Sequence, residues 1–258
     1  MPYVTTASGQ CLFYVRRSGG SDSYPPILLI HGAGGNALLW GSVLHALSGV
    51  DALALDLPGH GRSAGPSCST VADQSARVLE LADALRLARL VVAGHSMGGA
   101  VALDLALRAP SRVEALVLMS TTARFSISPT VLQQLSEDPG QVRQWMIETG
   151  YGPQTLAEAR HLGAKQLAQV PVAVLHNDLL ACSLYDATAR LPEIRCPALV
   201  LCGSEDRLTP PEHVRALQAG LMAARFELVP GAGHMLPLER PGAVAEAILR
   251  FLHSGYSA

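Results

Sequence analysis

Residues 91–100 read Val-Val-Ala-Gly-His-Ser-Met-Gly-Gly-Ala, and this stretch decides the fold. The apolar run that ends at Ala93 predicts a short buried strand. The five residues from Gly94 to Gly98 fit the pattern G-x-S-x-G, and the small and aliphatic residues after them predict a helix packed on a sheet. A serine between a strand and a helix needs a sharp turn, where glycines remove Cβ atoms that would clash. We therefore predict that Ser96 is a nucleophile raised out of this turn.

The composition is typical of a globular chain with a large core. The chain has 258 residues, 49% hydrophobic and 16% charged, with a formal net charge of −2. A chain of this length buries roughly three quarters of its unfolded surface. Because the charge is slightly negative and no basic stripe is present, we expect neither a nucleic acid nor an anionic membrane as partner.

Three features of the sequence indicate the cellular compartment: the N-terminus, the apolar runs and the cysteines. Residues 1–6 lack the charged and apolar regions of a signal peptide, and no apolar run approaches the roughly 20 residues of a membrane helix. The five cysteines are an odd number without paired short spacings, which predicts free thiols and neither a disulfide framework nor a zinc site. We expect a cytoplasmic monomer or homodimer without metal or cofactor.

Strand and helix patterns alternate through the first half of the chain, after an expected antiparallel edge strand at 10–17 and a turn at 18–26. Strands and helices follow one another at 27–30, 37–47, 51–57, 70–87, 90–93, 99–107 and 113–119. This order predicts a parallel sheet with right-handed crossovers and helices on both faces. The pattern resumes with a strand at 197–202, a helix at 211–220, a strand at 226–229 and a helix at 241–252.

The alternation stops at Ser120. Residues 121–191 contain no strand-like run and predict short helices at 129–137, 140–149, 154–170 and 172–189, separated by proline and glycine. We interpret them as a helical cap inserted into a core formed by residues 1–120 and 192–258.

His234 is the predicted base for Ser96. It lies in a glycine-rich loop directly after the last predicted strand, and the carboxyl ends of parallel strands share one edge of a sheet. Histidine is the side chain best suited to take a proton from a serine hydroxyl near neutral pH. His31, His60 and His95 lie at the same edge, where we expect them to make structural hydrogen bonds.

Asp206 is the predicted carboxylate partner of His234. It follows the strand at 197–202, and enough chain separates it from His234 for one helix and one strand. The other place for such an acid, after the strand at 113–119, holds no carboxylate. Glu205 stays open as a nearby alternative. The acid holds the histidine in the required tautomer.

Main-chain N–H groups are predicted to bind the oxyanion. One belongs to Met97, the residue after the nucleophile, and the other to Ala33, in the loop after the first buried strand. The glycines of that loop do not form a phosphate-binding loop, because the lysine and the Ser/Thr of that motif are missing.

Five motifs make the chain resemble the α/β-hydrolase superfamily over nearly its whole length. They are residues 31–35, 56–63, 94–99, 203–206 and 231–234. The resemblance implies an α/β-hydrolase fold, a mostly parallel eight-stranded sheet with a small helical cap between strands six and seven. The order serine, acid, histidine is also that of the family, and residues 176–186 resemble the end of the cap in small bacterial members.

The expected function is that of a serine esterase with an acyl intermediate on Ser96 and a small-molecule ester as substrate. Relatives with an aspartate at the nucleophile position, the haloalkane dehalogenases and epoxide hydrolases, are disfavoured by Ser96. A C–C bond hydrolase, a lactonase, a lyase and a non-catalytic ligand-binding protein stay open. The cap predicts an apolar pocket, with Trp145 binding substrate, that prefers uncharged esters of short to medium acyl groups. Trp40 is expected to pack in the core.

Overall fold

Eight strands form one sheet in the structure, a computed structural model that describes residues 2–19 and 24–256. The strands are β1 (Tyr3–Thr5), β2 (Cys11–Arg17), β3 (Ile27–Ile30), β4 (Ala52–Leu55), β5 (Leu90–His95), β6 (Val113–Met119), β7 (Ala198–Gly203) and β8 (Ala224–Val229). Their order is β1-β2-β4-β3-β5-β6-β7-β8. β2 runs antiparallel to both of its neighbours and all other pairs are parallel. The predicted eight-stranded, mostly parallel sheet is confirmed.

One edge of the sheet differs from the prediction. β1 pairs outside β2, with Tyr3 opposite Phe13, so β2 is not the edge strand. The two rings meet edge to face with centroids 5.2 Å apart. Three residues are too few for a periodic pattern, and this cross-strand pair stabilises β1 only after the chain has folded back. Of the predicted turn at 18–26, residues 20–23 lie outside the described residues.

The described residues contain ten α-helices and two 3-10 helices. The α-helices are α1 (Gly41–Ala46), α2 (Val71–Ala84), α3 (Met97–Arg108), α4 (Pro129–Glu137), α5 (Pro139–Gly150), α6 (Ala157–Ala168), α7 (Val172–Leu184), α8 (Pro211–Gly220), α9 (Leu236–Glu239) and α10 (Pro241–His253). The 3-10 helices are Ala37–Trp40, in front of α1, and Thr188–Glu193.

Apolar cores lie on both faces of the sheet. In β3, Leu28 and Ile30 pack in the cluster that contains residues of α2 and α3. Ile27 and Leu29 alternate with them and pack in the cluster of α1 and α10. Successive side chains of a strand point to opposite faces, so the uninterrupted apolar run reflects burial on both sides, as predicted.

The four helices α4 to α7 lie between β6 and β7. They share a small apolar cluster of their own, formed by Leu135, Val142, Leu167, Leu175 and Leu179. Two of them are shorter than predicted: α6 spans Ala157–Ala168, and α7 ends at Leu184.

The early end of α7 has a local cause. Tyr185 takes an extended conformation, with φ −87° and ψ 127°. Asp186 then accepts the N–H of Thr188 at 2.9 Å, which starts the 3-10 helix Thr188–Glu193.

No single described helix is long and apolar enough to cross a membrane. The helices α6 and α7 reach that length only as a pair bent by 101°.

Candidate active site

Ser96 lies between the end of β5 and the start of α3. Its backbone has φ 53° and ψ −120°, a left-handed conformation that costs a non-glycine residue about 1–3 kcal/mol. Two neighbours hold it: the Ser96 N–H donates to the Met119 oxygen at 2.9 Å, and the Thr121 hydroxyl donates to the Ser96 oxygen at 2.7 Å. The predicted sharp turn is therefore present and supported by the end of β6.

The glycines on either side of Ser96 are required by close contacts between main chains. A Cβ on Gly94 would lie 2.1 Å from the Gly98 oxygen, and a Cβ on Gly98 would lie 2.3 Å from the Ile30 oxygen. Neither distance can be accommodated without moving the backbone. The steric reason predicted for both glycines is confirmed.

The structure brings His234 and Asp206 into contact. His234 Nδ1 lies 3.1 Å from Asp206 Oδ1 and 3.0 Å from Asp206 Oδ2. Both residues are buried, at 5% and 3% exposure. Glu205 is exposed and its carboxylate accepts the Ser204 hydroxyl instead. Of the two carboxylates left open by the sequence, only that of Asp206 contacts the histidine.

The Asp206 carboxylate is held in its charged form. The N–H and hydroxyl of Thr209 donate to its two oxygens at 2.9 and 2.8 Å. Burial by itself raises the pKa of Asp206, but the His234 imidazole and the Thr209 donors outweigh burial and lower the pKa to about 2. Because Nδ1 of His234 faces this carboxylate, Nε2 is the ring nitrogen left for another partner.

Ser96 and His234 line the same cavity, which has a volume of about 310 Å³. Trp145, the residue predicted to bind substrate, also lines it, together with the apolar cap residues Met146, Ile147 and Leu167. Leu156 and Leu162 are exposed and lie outside the lining. Trp40 is fully buried in the core, as expected.

The loop after β3 forms a tight turn against the elbow of Ser96. The Gly35 N–H donates to the Gly32 oxygen at 3.0 Å, and Gly34 has φ +64°, a positive value that is typical of a type II turn and favours glycine. A Cβ on Gly32 would lie 3.0 Å from the Ser96 Cβ. The loop thus packs closely against the elbow, and Ala33, the next residue, lines the same cavity as Ser96.

Met97 is the first residue of α3, so its N–H has no acceptor inside the helix. The N-terminus of a helix favours negative charge. The two predicted oxyanion donors thus belong to a turn and to a helix start that both adjoin Ser96.

The other histidines at this edge make the structural hydrogen bonds that we expect. His31 donates from Nδ1 to the Gly32 oxygen at 2.9 Å and accepts the Leu57 N–H at Nε2 at 3.1 Å. Burial, followed by the neighbouring His60, lowers the pKa of His31 well below its usual value. His31 is therefore neutral and holds two strand ends together.

Three residues at this edge escaped the sequence analysis: Thr209, Glu239 and Asp178. Glu239 accepts the N–H of Gly233, directly before His234, and that of Gly152, each at 3.0 Å. Asp178 was detectable in part, because a single carboxylate in the apolar helix α7 is unusual. Nothing local marks the other two. Within the described residues no cluster of three or more His, Cys, Asp or Glu side chains is arranged to hold a metal ion.

Comparisons with known proteins agree with this fold. A family model described as "Alpha/beta hydrolase family" matches residues 27–247. The dihydrolipoyllysine-residue acetyltransferase component of the acetoin cleaving system of Pseudomonas putida is 32% identical over 90% of this chain, which spans only 65% of that protein.

Two further relatives are covered almost completely. The pimeloyl-(acyl-carrier protein) methyl ester esterase of Pectobacterium carotovorum subsp. carotovorum (strain PC1) is 31% identical, over 87% of this chain and 93% of its own. The structure of a thermophilic esterase from Thermogutta terrifontis superposes with a TM-score of 0.88 at 27% identity, covering 99% of this chain and 98% of that one. The chain belongs to the alpha/beta hydrolase family.

Proposed function

We propose that this protein hydrolyses carboxylic esters through an acyl-enzyme intermediate on Ser96. One observation carries the proposal: a serine in a strained turn shares a cavity with a histidine whose Nδ1 contacts a buried carboxylate. A serine hydroxyl becomes a good nucleophile only when a positioned base takes its proton. The esterases among the relatives support the same reaction.

In the first half of the reaction, His234 Nε2 takes the proton of the Ser96 hydroxyl while Oγ attacks the ester carbonyl. Asp206 keeps the proton on Nδ1 and stabilises the imidazolium that forms. His234 then gives its Nε2 proton to the departing alcohol. The acyl group remains on Ser96.

The negative charge on the carbonyl oxygen is met by the N–H groups of Ala33 and Met97. Both are fixed before substrate arrives, because one is part of the Gly32–Gly35 turn and the other begins α3. Fixed donors are effective because they need no reorganisation as the charge develops.

In the second half, water replaces the alcohol. His234 takes a proton from the water, whose oxygen attacks the acyl carbon, and the same two N–H groups bind the second oxyanion. The proton then passes from His234 to Ser96 Oγ as the ester bond to the serine breaks. The products are a carboxylic acid and the free enzyme.

The substrate is a small-molecule ester, and residues 121–191 are proposed to act as a cap that selects it. Trp145, Met146 and Ile147 from α5 and Leu167 from α6 give the cavity an apolar wall. An apolar wall binds acyl chains through the hydrophobic effect and offers no compensation for a buried charge. We propose a preference for uncharged esters with short to medium acyl groups.

The experiment combines steady-state kinetics with covalent labelling. The wild-type protein should hydrolyse p-nitrophenyl acetate and butyrate, and a fluorophosphonate should modify Ser96 alone, as seen by peptide mass spectrometry. Ser96→Ala should lower kcat on the order of 10⁶-fold. Ser136→Ala, which changes an exposed serine of α4, serves as the matched control.

Two results would contradict the proposal. Retained turnover in Ser96→Ala would remove Ser96 as the nucleophile. Tight binding of esters without turnover by the wild-type protein would instead indicate a ligand-binding protein.

A further inference from the structure

Asp178, in α7, is a carboxylate buried completely inside the protein, at 0% exposure. Its Oδ2 accepts the N–H of Gly34 at 2.7 Å and lies 2.8 Å from His60 Nε2. Its Oδ1 has no hydrogen-bond partner among the described residues. Burying a carboxylate costs free energy unless the charge is paired. Packing alone therefore does not explain an aspartate at this position.

The His60 ring supplies the compensating charge. Its Nδ1 lies 3.0 Å from the Pro58 oxygen and its Nε2 faces Asp178, so both ring nitrogens face acceptors. Only the imidazolium donates from both nitrogens. Burial lowers the pKa of His60, but the charge and hydrogen bond of Asp178 outweigh burial and raise it. The two residues form a buried ion pair.

The carboxylate of this ion pair also contacts the turn that contains Ala33. The N–H groups of Ala33 and Gly34 belong to successive peptides that meet at the Ala33 Cα. Asp178 accepts the Gly34 N–H at 2.7 Å. It therefore anchors the turn at the residue directly after Ala33.

The same turn is covered by two leucines of the helices α6 and α7. A Cβ on Gly34 would lie 2.9 Å from Leu167 Cδ1 and 3.2 Å from Leu175 Cδ1. This cover removes water as a competing acceptor and strengthens the bond from Gly34 to the carboxylate.

A second contact of α7, with the loop between β4 and α2, offers a comparison. The side-chain amide of Asn177 donates to the Ser67 hydroxyl at 3.0 Å, away from the oxyanion turn. Asn177 and Asp178 are neighbours that both attach α7 to the rest of the protein, but only Asp178 contacts the turn of Ala33.

We propose that Asp178 is a positioning residue that anchors the Gly32–Gly35 turn at Gly34, so that the Ala33 N–H of the oxyanion site is held in place only when α7 is docked. The proposal rests on the proposed function, because it assigns to Asp178 a role in the esterase reaction. It makes the segment 121–191 part of the catalytic apparatus as well as a wall of the substrate cavity.

The test compares three variants under the same ester substrate. Asp178→Ala removes the acceptor, Asp178→Asn keeps a side-chain oxygen for Gly34 without the charge, and Asn177→Ala removes the neighbouring contact of the same helix. Loss of a complete oxyanion donor costs about 10²- to 10³-fold in kcat. We expect kcat to fall about 100-fold in Asp178→Ala and about 10-fold in Asp178→Asn, and by less than about twofold in Asn177→Ala.

Further measurements separate positioning from folding. KM should change by less than about threefold, because the turn acts on the transition state. The affinity for a trifluoromethyl ketone, which forms a tetrahedral adduct with the serine, should fall by the same factor as kcat/KM. The melting temperature of each variant shows whether it is folded at the assay temperature.

The wild-type protein gives an independent readout by NMR. The Gly34 amide proton should resonate downfield and exchange slowly, as expected for a donor to a buried carboxylate. If the Asp178 variants do not fold, this measurement still tests the hydrogen bond from Gly34 on which the proposal depends.

The proposal would be overturned by a folded Asp178→Ala protein with the kcat of Asn177→Ala, by a loss confined to KM, or by a Gly34 amide that exchanges at loop rates. Those results would leave fluorophosphonate labelling of Ser96 intact. Loss of that labelling in the wild-type protein would instead refute the proposed function.

Discussion

His95 donates its Nε2–H to the main-chain oxygen of His234 at 2.8 Å. The residue directly before the proposed nucleophile is therefore hydrogen-bonded to the main chain of the proposed base. The two rings lie with centroids 5.0 Å apart. Burial, followed by the charge that His234 can carry, lowers the pKa of His95 to about 3. A neutral His95 therefore fixes the distance between the elbow and the loop after β8.

This neutral histidine makes stability dependent on pH. Burial lowers the pKa of His95 to about 3, so between about pH 4 and 6 the unfolded chain binds a proton at His95 that the folded protein does not, and the lowered pKa of His31 acts in the same direction. Stability is full above about pH 6.5 and is lost as the pH falls, by about 1.4 kcal/mol per pH unit for His95. The pKa of His60 is raised, so His60 is protonated in both states over this range and adds no slope.

The measurement is the free energy of urea unfolding at several pH values between about 4.5 and 6. His95→Gln should reduce the slope by the contribution of about one proton. His45→Gln, at an exposed position of α1, is the control. Equal slopes in His95→Gln and the wild-type protein would show that His95 is protonated in the folded state.

The contact between Asp206 and His234 predicts unequal effects for two adjacent carboxylates. Asp206→Asn should lower kcat by about 10⁴-fold, because the amide cannot hold the proton on Nδ1 of His234. Glu205→Gln should change kcat by less than about twofold, because Glu205 is exposed and contacts Ser204. Rates of ester hydrolysis by both variants test this prediction. A larger loss of kcat in Glu205→Gln than in Asp206→Asn would identify Glu205 as the carboxylate partner of His234.

The glycines of the elbow should be intolerant of alanine, whereas Gly41 should accept it. Gly94→Ala would put a Cβ 2.1 Å from the Gly98 oxygen, and we expect a loss of about 3 kcal/mol or more. Gly41→Ala, in α1, meets nothing within 4 Å at a helical φ of −52°, and should raise stability by about 0.4–1 kcal/mol. Chemical denaturation checks both, and a neutral Gly94→Ala would show that the turn can relax.

Trp145 should influence the choice among esters more than the reaction itself. It is 42% exposed and lines the cavity, whereas Leu156 is 74% exposed and does not. Trp145→Ala should lower kcat/KM for p-nitrophenyl hexanoate by about 10-fold and for the acetate by less than about threefold, because only the longer chain loses apolar contact. Leu156→Ala is the control. An equal loss on both esters would place the effect in catalysis or folding.

Local patterns determined much of the fold and of the candidate site. Apolar runs identified β3 to β8, and the parallel order placed Ser96, Asp206 and His234 at one edge. That inference needs no long-range information, because every parallel strand delivers its carboxyl end to the same edge. The roles of the three residues remain predictions, but their positions are those the sequence indicated.

Other features depend on contacts that no local pattern records. β1 pairs with β2, where Tyr3 meets Phe13, a residue ten positions away. Asp178 lies 144 positions from Gly34, and Glu239 joins Gly152 to the loop of His234. A helical period shows which face of α7 is apolar, but not that its one carboxylate meets a turn after β3.

The division has a physical reason. Hydrophobic burial and turn geometry act on neighbouring residues, so the sequence by itself determined β3 to β8, the elbow of Ser96 and the loops that carry Asp206 and His234. A buried charge is tolerated only where the folded chain supplies its partner. The tertiary structure alone therefore decided that Asp178 pairs with His60 and holds the turn of Ala33.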